Sequence, residues 1–134
     1  IMRRRQRQMC IRDSFYSDDD ENALDSFYKD LDLFVMPAKS RFFGREYEGL
    51  GLVYLEAASY GLPVLVGSSG GAFETIIPGK TGFIVGSRNE IYDAIKYFKE
   101  NKDMIKEFGS NSKLFVEENF SWETVVEKFK INTN

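Results

Sequence analysis

A helical segment bounded by glycines and a proline constrains the fold of this chain more than any other stretch. Residues 48–64 have the sequence EGLGLVYLEAASYGLPV, in which an apolar helix is predicted from Gly51 to Tyr60. Gly61 suits the left-handed position that ends a helix, and Pro63 prevents the helix from continuing. A short buried strand is predicted directly afterwards, over residues 64–66. The stretch therefore predicts a loop, a helix, a strand and a second loop, in that order.

One carboxylate interrupts the apolar helix. Glu56 is the only charged residue from Leu50 to Val66. A carboxylate in such a place has to be hydrogen-bonded, paired or solvated, because its burial without a partner costs several kcal/mol or more. A lysine, an arginine or a backbone group of the same fold could supply the partner. A ligand with two adjacent hydroxyls, such as a ribose, could instead donate both hydrogen bonds.

A second carboxylate, Glu48, stands at the start of the same helix, eight residues before Glu56. Gly49 and Gly51 allow a ligand to approach the backbone closely, and the free N–H groups of a helix start attract anions. Since two anions repel, Glu48 suits the hydroxyls of a sugar better than a phosphate. The layout fits a nucleotide diphosphate sugar, with the diphosphate at the helix start, the ribose at Glu56 and the sugar at Glu48.

Length and composition limit the class of protein. A chain of 134 residues, 43% of them apolar and 15% aromatic, is long enough for one globular domain of ordinary size. No apolar run approaches the roughly 20 residues that a membrane-spanning helix needs. One cysteine and no histidine exclude a disulfide framework, a histidine general base and the usual zinc sites. These counts favour the reducing environment of the cytoplasm.

The first fourteen residues, IMRRRQRQMCIRDS, differ in composition from the rest. The segment resembles translated sequencing-adapter sequence and is interpreted as non-native; a basic arm for nucleic acid or anionic lipid is the alternative. Removing its five arginines and one aspartate from a chain of net charge −3 leaves a net charge of −7. Such a charge argues against a general attraction to nucleic acid. The native domain is therefore expected to comprise residues 15–134, without a nucleic-acid partner.

Two further strands are predicted outside the central stretch. The run at residues 31–36 is almost continuously apolar and ends at Pro37, and a shorter run covers residues 82–85. Apolar runs of this kind are typical of a parallel sheet that helices cover on both faces. With the strand at 64–66, the chain is expected to contribute three strands to such a sheet.

Four helices are predicted around these strands. The first precedes the 31–36 strand, the second begins with the capping-box pattern SRNE at 87–90, the third covers about 102–117, and Ser121 caps the fourth. Helical periodicity assigns Ile95 of the second helix to the buried face. Trp122 of the fourth helix is expected to be an aromatic anchor in the core.

The motifs of this chain resemble those of a known family. The chain contains, in order, KDLDLFVMPA, the E-x7-E motif as EGLGLVYLEAASYGLPVL, then SSGGAFETI and GKTGFIV. Together they resemble the donor-binding half of retaining GT-B glycosyltransferases of family four, especially bacterial enzymes similar to phosphatidylinositol mannosyltransferases. Four ordered motifs are far more specific than a lone GxG. The resemblance implies an α/β fold, namely a partial Rossmann-like parallel sheet flanked by helices, as in a truncated GT-B C-terminal domain.

The resemblance also implies roles for individual residues. Glu48 would contact the donor sugar and serve as the catalytic residue that orients it, and Glu56 would hold the ribose. Glu74 would order its own loop. Arg41 could hold the anionic donor or be an ordinary surface charge. The complete set of implied donor-binding residues is Arg41, Glu48, Gly49, Leu50, Gly51, Leu52, Glu56, Gly70 and Gly71.

The implied activity is transfer of a hexose from a nucleotide diphosphate sugar to an acceptor hydroxyl, with retention of configuration and without a metal or other cofactor. The implied setting is cell-envelope polysaccharide or glycolipid synthesis. A sugar or lipid-linked acceptor would bind an N-terminal domain that this chain lacks, so the chain alone is expected to be inactive. Its location is expected to be cytoplasmic, with peripheral contact to the inner face of the membrane reserved for the intact protein. The alternatives are a glucan synthase or phosphorylase-like enzyme and a non-catalytic nucleotide-sugar-binding module.

Overall fold

A parallel sheet lies at the centre of the fold. The computed structural model describes residues 21–37, 51–68 and 70–131. Within them, β1 (Phe34–Met36), β2 (Val64–Gly67) and β3 (Gly82–Val85) form a sheet in the order β1-β2-β3. Both neighbouring pairs are parallel, and each pair is connected by a helical crossover, as parallel strands require. The predicted α/β class and the three predicted strands are confirmed.

Helices account for most of the remaining described residues. Helix α1 (Glu21–Lys29) belongs to a compact unit, Ile1–Leu31, and the other elements belong to a second unit, Asp32–Asn134. Among the described helices, none combines the length and the hydropathy that spanning a bilayer would need. The second unit contains α2 (Leu52–Ser59), a 3-10 helix (Ala72–Thr75), α3 (Arg88–Glu100), α4 (Lys102–Phe120) and α5 (Trp122–Ile131).

Strand β1 begins later than its apolar run suggests. The run starts at Leu31, whereas pairing starts at Phe34, whose partner across the sheet is Val64. The Phe34 N–H donates to the Pro63 carbonyl at 3.0 Å. The extent of β1 is therefore set by where the neighbouring strand begins, which the local sequence does not specify.

The main core lies on the face of the sheet that carries α3. Side chains alternate between the two faces of a strand, so Leu65, Phe83 and Val85 point to the same side. The Phe83 ring centroid lies 5.7 Å from that of Phe98 on α3 and 5.5 Å from that of Phe108 on α4. The buried members of this cluster are Leu65, Val85, Ala94, Phe98 and Phe108. Burial of these side chains stabilises the fold by about 1.5–3 kcal/mol for each large one.

Helix α2 covers the opposite face. Tyr54 is fully buried and meets Phe34 of β1 edge to face, with ring centroids 6.3 Å apart. Val64 and Val66 of β2 are completely buried. Because β2 has helices against both of its faces, its sequence is continuously apolar, as predicted for a parallel strand.

Trp122 and Ile95, both assigned to the core, are instead exposed. Trp122 is 81% exposed and Ile95 is 43% exposed. The buried stripe of α3 passes through Ala94 and Phe98, and Ile95 lies about 100° around the helix from Ala94. Trp122 is the first residue of α5, directly after the predicted Ser121 cap, whose hydroxyl accepts a hydrogen bond from the Thr124 N–H at 3.2 Å. Periodicity predicts a shared face but not which part of that face another element covers.

The capping box at the start of α3 is confirmed with one change. The Ser87 hydroxyl accepts a hydrogen bond from the Glu90 N–H at 3.2 Å. The Glu90 carboxylate accepts one from the Gly86 N–H at 2.6 Å, one residue earlier than the usual partner. This pair of bonds closes the turn between the carboxyl end of β3 and α3.

Helix α4 packs against the amino edge of the sheet through close contacts between main chains. A Cβ atom added to Gly109 would lie 2.0 Å from the carbonyl oxygen of Gly61, the residue that follows α2 with φ +76°. Nearby, the buried Ser112 hydroxyl donates to the Thr81 carbonyl at 3.0 Å. The approach of Gly109 to Gly61 fixes the carboxyl end of α2 and leaves its amino end directed toward the opposite edge of the sheet.

We expect Gly109→Ala to destabilise the fold, although alanine is the better helix former by about 1 kcal/mol. The added methyl group has to displace the Gly61 carbonyl, and such overpacking costs about 1–3 kcal/mol. Ser110→Ala, at an exposed position of the same helix, is the control and should change the free energy of unfolding by less than about 0.5 kcal/mol. Urea unfolding measures both. A Gly109→Ala protein as stable as the parent would show that α2 and α4 do not pack this closely.

Candidate functional site

The carboxyl ends of the three strands form the edge of the sheet where a ligand is expected. In parallel strands these ends lie side by side, and open α/β sheets bind ligands there. In this chain the ends are Met36, Gly67 and Val85. Two of the predicted donor-binding segments begin directly beyond this edge.

The start of α2 is one of these segments. Gly51 caps the helix with φ 72° and ψ 61°, a left-handed conformation that glycine adopts most easily. Among the described residues, no side chain makes a capping hydrogen bond at this helix start, and its first turn contains no acidic residue. The positive end of the helix dipole is therefore not neutralised by a neighbouring carboxylate of that turn, and it suits an anion. Leu52, the first helical residue, is 67% exposed.

A buried tyrosine joins the start of α2 to the end of β1. The Tyr54 hydroxyl donates a hydrogen bond to the Met36 carbonyl at 2.6 Å. A Cβ atom added to Gly51 would lie 2.5 Å from Cδ2 of the Tyr54 ring, so the ring lies directly against the glycine. The motif does not single out Tyr54. Its signal in the sequence is a tyrosine in an apolar helix, whose hydroxyl needs a partner once it is buried.

Glu56 is exposed, and its neighbours Leu55 and Ala57 are buried. Because the side chain reaches solvent, its charge is not withdrawn from water at a large desolvation cost. The carboxylate lies on the same helix as Gly51, on a side that solvent reaches.

The loop after β2 supplies the second segment. Gly70 has φ +66°, and Gly71 precedes the 3-10 helix, where its carbonyl accepts a hydrogen bond from the Glu74 N–H at 3.0 Å. The 3-10 helix packs against both α2 and β2. Gly51, Leu52, Gly70 and Gly71 are thus brought to one edge of the sheet. Arg41, Glu48, Gly49 and Leu50 lie outside the described residues.

A surface groove of about 520 Å³ lies elsewhere, along β3 and α3. None of the described donor-binding candidates lines it. The Glu90 and Asp93 carboxylates stand on its wall and would repel a diphosphate. We therefore place the candidate donor site at the start of α2 rather than in this groove. Its lining residues are Gly79, Phe83, Ile84, Val85, Glu90, Asp93, Ala94, Tyr97 and Phe108.

Metal ligands do not cluster in the part of the chain that the structure describes. There, no group of three or more histidine, cysteine, aspartate or glutamate side chains is placed to hold a metal ion. The chemistry that the start of α2 offers is that of backbone N–H groups, a helix dipole and the exposed Glu56 carboxylate.

The sequence of this chain is similar to those of known proteins. The family model described as "Glycosyl transferases group 1" matches residues 12–115. The chain is 37% identical over 99 residues to a GDP-mannose-dependent alpha-(1-6)-phosphatidylinositol monomannoside mannosyltransferase of Mycobacterium tuberculosis (strain CDC 1551 / Oshkosh). The aligned region covers 72% of this chain and 26% of that protein. The chain thus spans about a quarter of the length of this relative.

Two further proteins share the same region. A trehalose synthase of Thermococcus litoralis is 40% identical over 73 residues, covering 54% of this chain and 18% of that protein. A solved sucrose-phosphate synthase from Thermosynechococcus elongatus superposes with a TM-score of 0.72 at 27% identity, covering 88% of this chain and 28% of that one. The chain therefore belongs to the glycosyl transferases group 1 family and has the GT-B type of fold that its motifs predict.

Proposed function

We propose that the intact protein is a retaining glycosyltransferase that moves a hexose from a nucleotide diphosphate sugar to an acceptor hydroxyl, and that this chain carries the main part of its donor site. The observation that supports this most is the start of α2. There, a left-handed glycine begins a helix that no side chain of the described residues caps, beyond the carboxyl end of β1 and five residues before the exposed Glu56.

The spacing along α2 suits a nucleotide. At about 1.5 Å per residue, Glu56 lies roughly 7.5 Å along the helix axis from Gly51. That is of the order of the distance between the diphosphate and the ribose hydroxyls of one nucleotide. A diphosphate at the helix start would thus place a ribose near the Glu56 carboxylate, which can accept hydrogen bonds from two adjacent hydroxyls.

The transfer breaks the bond from the sugar C1 to the diphosphate oxygen and forms a bond from C1 to the acceptor oxygen. The acceptor proton passes to the departing nucleoside diphosphate, which also carries away the electrons of the broken bond. Negative charge develops on the diphosphate, where fixed N–H donors and a helix dipole stabilise it without reorganisation. Glu48 would orient the sugar. No metal or other cofactor is required in this scheme.

The relatives favour a particular donor. The mannosyltransferase that is 37% identical to this chain is described as GDP-mannose-dependent and as forming an alpha-(1-6) linkage to a phosphatidylinositol mannoside. An α product is what retention gives when the donor sugar is also α-linked. We therefore propose GDP-mannose as the donor, and a lipid-linked or polysaccharide acceptor of the cell envelope, bound by a further domain at the cytoplasmic face of the membrane.

The trehalose synthase and sucrose-phosphate synthase similarities favour a second candidate. In that case the same donor site would serve transfer to a free sugar, as in the glucan synthase or phosphorylase-like alternative. The nucleotide that binds distinguishes the two in part, because a preference for UDP or ADP over GDP would count against the mannosyltransferase.

Nucleotide binding tests the ribose role of Glu56. We expect GDP to bind this chain more tightly than UDP or ADP, by isothermal titration. Glu56→Ala should weaken binding about 10- to 100-fold, because hydrogen bonds to a charged group contribute about 1.5–3 kcal/mol. Glu117→Ala, at an exposed position of α4, is the matched control and should bind as the parent does. Titration in EDTA should give the same affinity as titration with Mg²⁺.

Three outcomes of this titration would count against the proposal. If neither this chain nor a longer form of the protein bound any of the three nucleotides, the donor-site assignment would be wrong. Equal loss of affinity in Glu56→Ala and Glu117→Ala would remove the specific role of Glu56. A requirement for Mg²⁺ would contradict the metal-free scheme.

A ratio of affinities tests the separate role of Glu48. Glu48 is proposed to contact the sugar alone. Glu48→Ala should therefore weaken binding of the nucleotide sugar and change the affinity for the free nucleoside diphosphate by less than about twofold, or about 0.5 kcal/mol. Glu56→Ala should weaken binding of both ligands by the same factor, since both contain the ribose. If Glu48→Ala weakened both ligands alike, Glu48 would hold the nucleotide rather than the sugar.

A further inference from the structure

We infer that Tyr54 is a positioning residue of the donor site, which holds the Gly51 turn and the start of α2 onto the carboxyl end of β1. This inference rests on the proposed function, because it assigns to Tyr54 the orientation of the N–H groups that would bind the diphosphate. Tyr54 does not contact the ligand itself in this arrangement. It acts through the backbone that it holds in place.

The first contact is a buried hydrogen bond. Tyr54 is 0% exposed, and its hydroxyl donates to the carbonyl of Met36, the last residue of β1, at 2.6 Å. A buried hydroxyl is costly to leave without a partner, so the bond fixes the position of the side chain at its outer end. One end of this bond belongs to the sheet and the other to α2.

The second contact is between the ring and Gly51. Ring atoms Cδ2 and Cε2 would lie 2.5 and 2.6 Å from a Cβ atom at Gly51, so the ring occupies the space that a side chain would fill. Phe34 meets the same ring edge to face. The ring is thus confined between β1 and the Gly51 turn. A shift of the turn relative to the strand would lengthen the hydrogen bond from the Tyr54 hydroxyl to Met36.

The location of these contacts gives them their importance. The other end of α2 is held by the close approach of Gly61 and Gly109. An eight-residue helix is about 12 Å long, so a small rotation about that end produces a larger displacement of the N–H groups at Gly51 and Leu52. Hydrogen bonds weaken steeply as their angle departs from linear, and binding of an anion at the helix start therefore depends on the Tyr54 contacts.

The experiment compares Tyr54→Phe with Ser112→Ala. Both substitutions remove a buried hydroxyl that donates to a backbone carbonyl, at 2.6 Å and 3.0 Å respectively. Ser112, however, bonds to Thr81 at the amino edge of the sheet, away from the donor site. Both variants should unfold at lower temperature than the parent. In the cold, where circular dichroism shows all three folded, only Tyr54→Phe should lose affinity for the nucleoside diphosphate, by about tenfold.

Amide NMR provides a second readout that stability alone would not change. The Gly51 and Leu52 amide signals should move in Tyr54→Phe and stay in place in Ser112→Ala. If Tyr54→Phe is only partly folded in the cold, all three proteins are compared in sucrose, an osmolyte that favours the compact state.

The outcomes separate this inference from the proposed function. A parent chain that binds no nucleotide, alone or within a longer form of the protein, would overturn the proposed function and this inference with it. A parent chain that binds, with Tyr54→Phe binding equally well, would overturn the positioning role and leave the proposed function standing. Equal losses of affinity in Tyr54→Phe and Ser112→Ala would show a general effect of stability and would likewise overturn it.

Discussion

The hydrogen bond from Tyr54 to the Met36 carbonyl is the interaction on which the geometry of the candidate site depends. It joins the first turn of α2 to the end of β1, and the ring that carries the hydroxyl lies against Gly51. At its other end, α2 is held through Gly61 and Gly109 at the amino edge of the sheet. A short apolar helix is thereby fixed at both ends, with its positive dipole end directed to the edge where parallel sheets bind ligands.

The groove along β3 and the start of α2 differ in electrostatic character. The groove along β3 is apolar and carries Glu90 and Asp93 on its wall, so it is unfavourable for a phosphate. The start of α2 has no carboxylate in its first turn, and Leu52 there is exposed. Cavity size alone would select the groove. Charge favours the helix start, because the carboxylates on the wall of the groove would repel a diphosphate.

A site made of backbone N–H groups and ribose-binding carboxylates would recognise what all nucleotide sugars have in common. Such a site would account for the similarity of overlapping parts of this chain to proteins described as a mannosyltransferase, a trehalose synthase and a sucrose-phosphate synthase. In such an arrangement the choice of acceptor lies in other parts of the molecule. The family of this chain is shown, whereas the identity of the sugar and of the acceptor is a proposal.

The sequence by itself determined the α/β class, the order of strands and helices, the end of α2 at Gly61 and the cap at Ser87. Each depends on local preferences or on periodicity, which act over a few residues. It also determined the motifs that identify the family; the roles of Arg41, Glu48 and the neighbouring glycines remain predictions from them. Only the tertiary structure decided that Trp122, Ile95 and Glu56 are exposed and that Tyr54 bonds to Met36. Those outcomes depend on which elements meet across long sequence separations, and no local pattern specifies that.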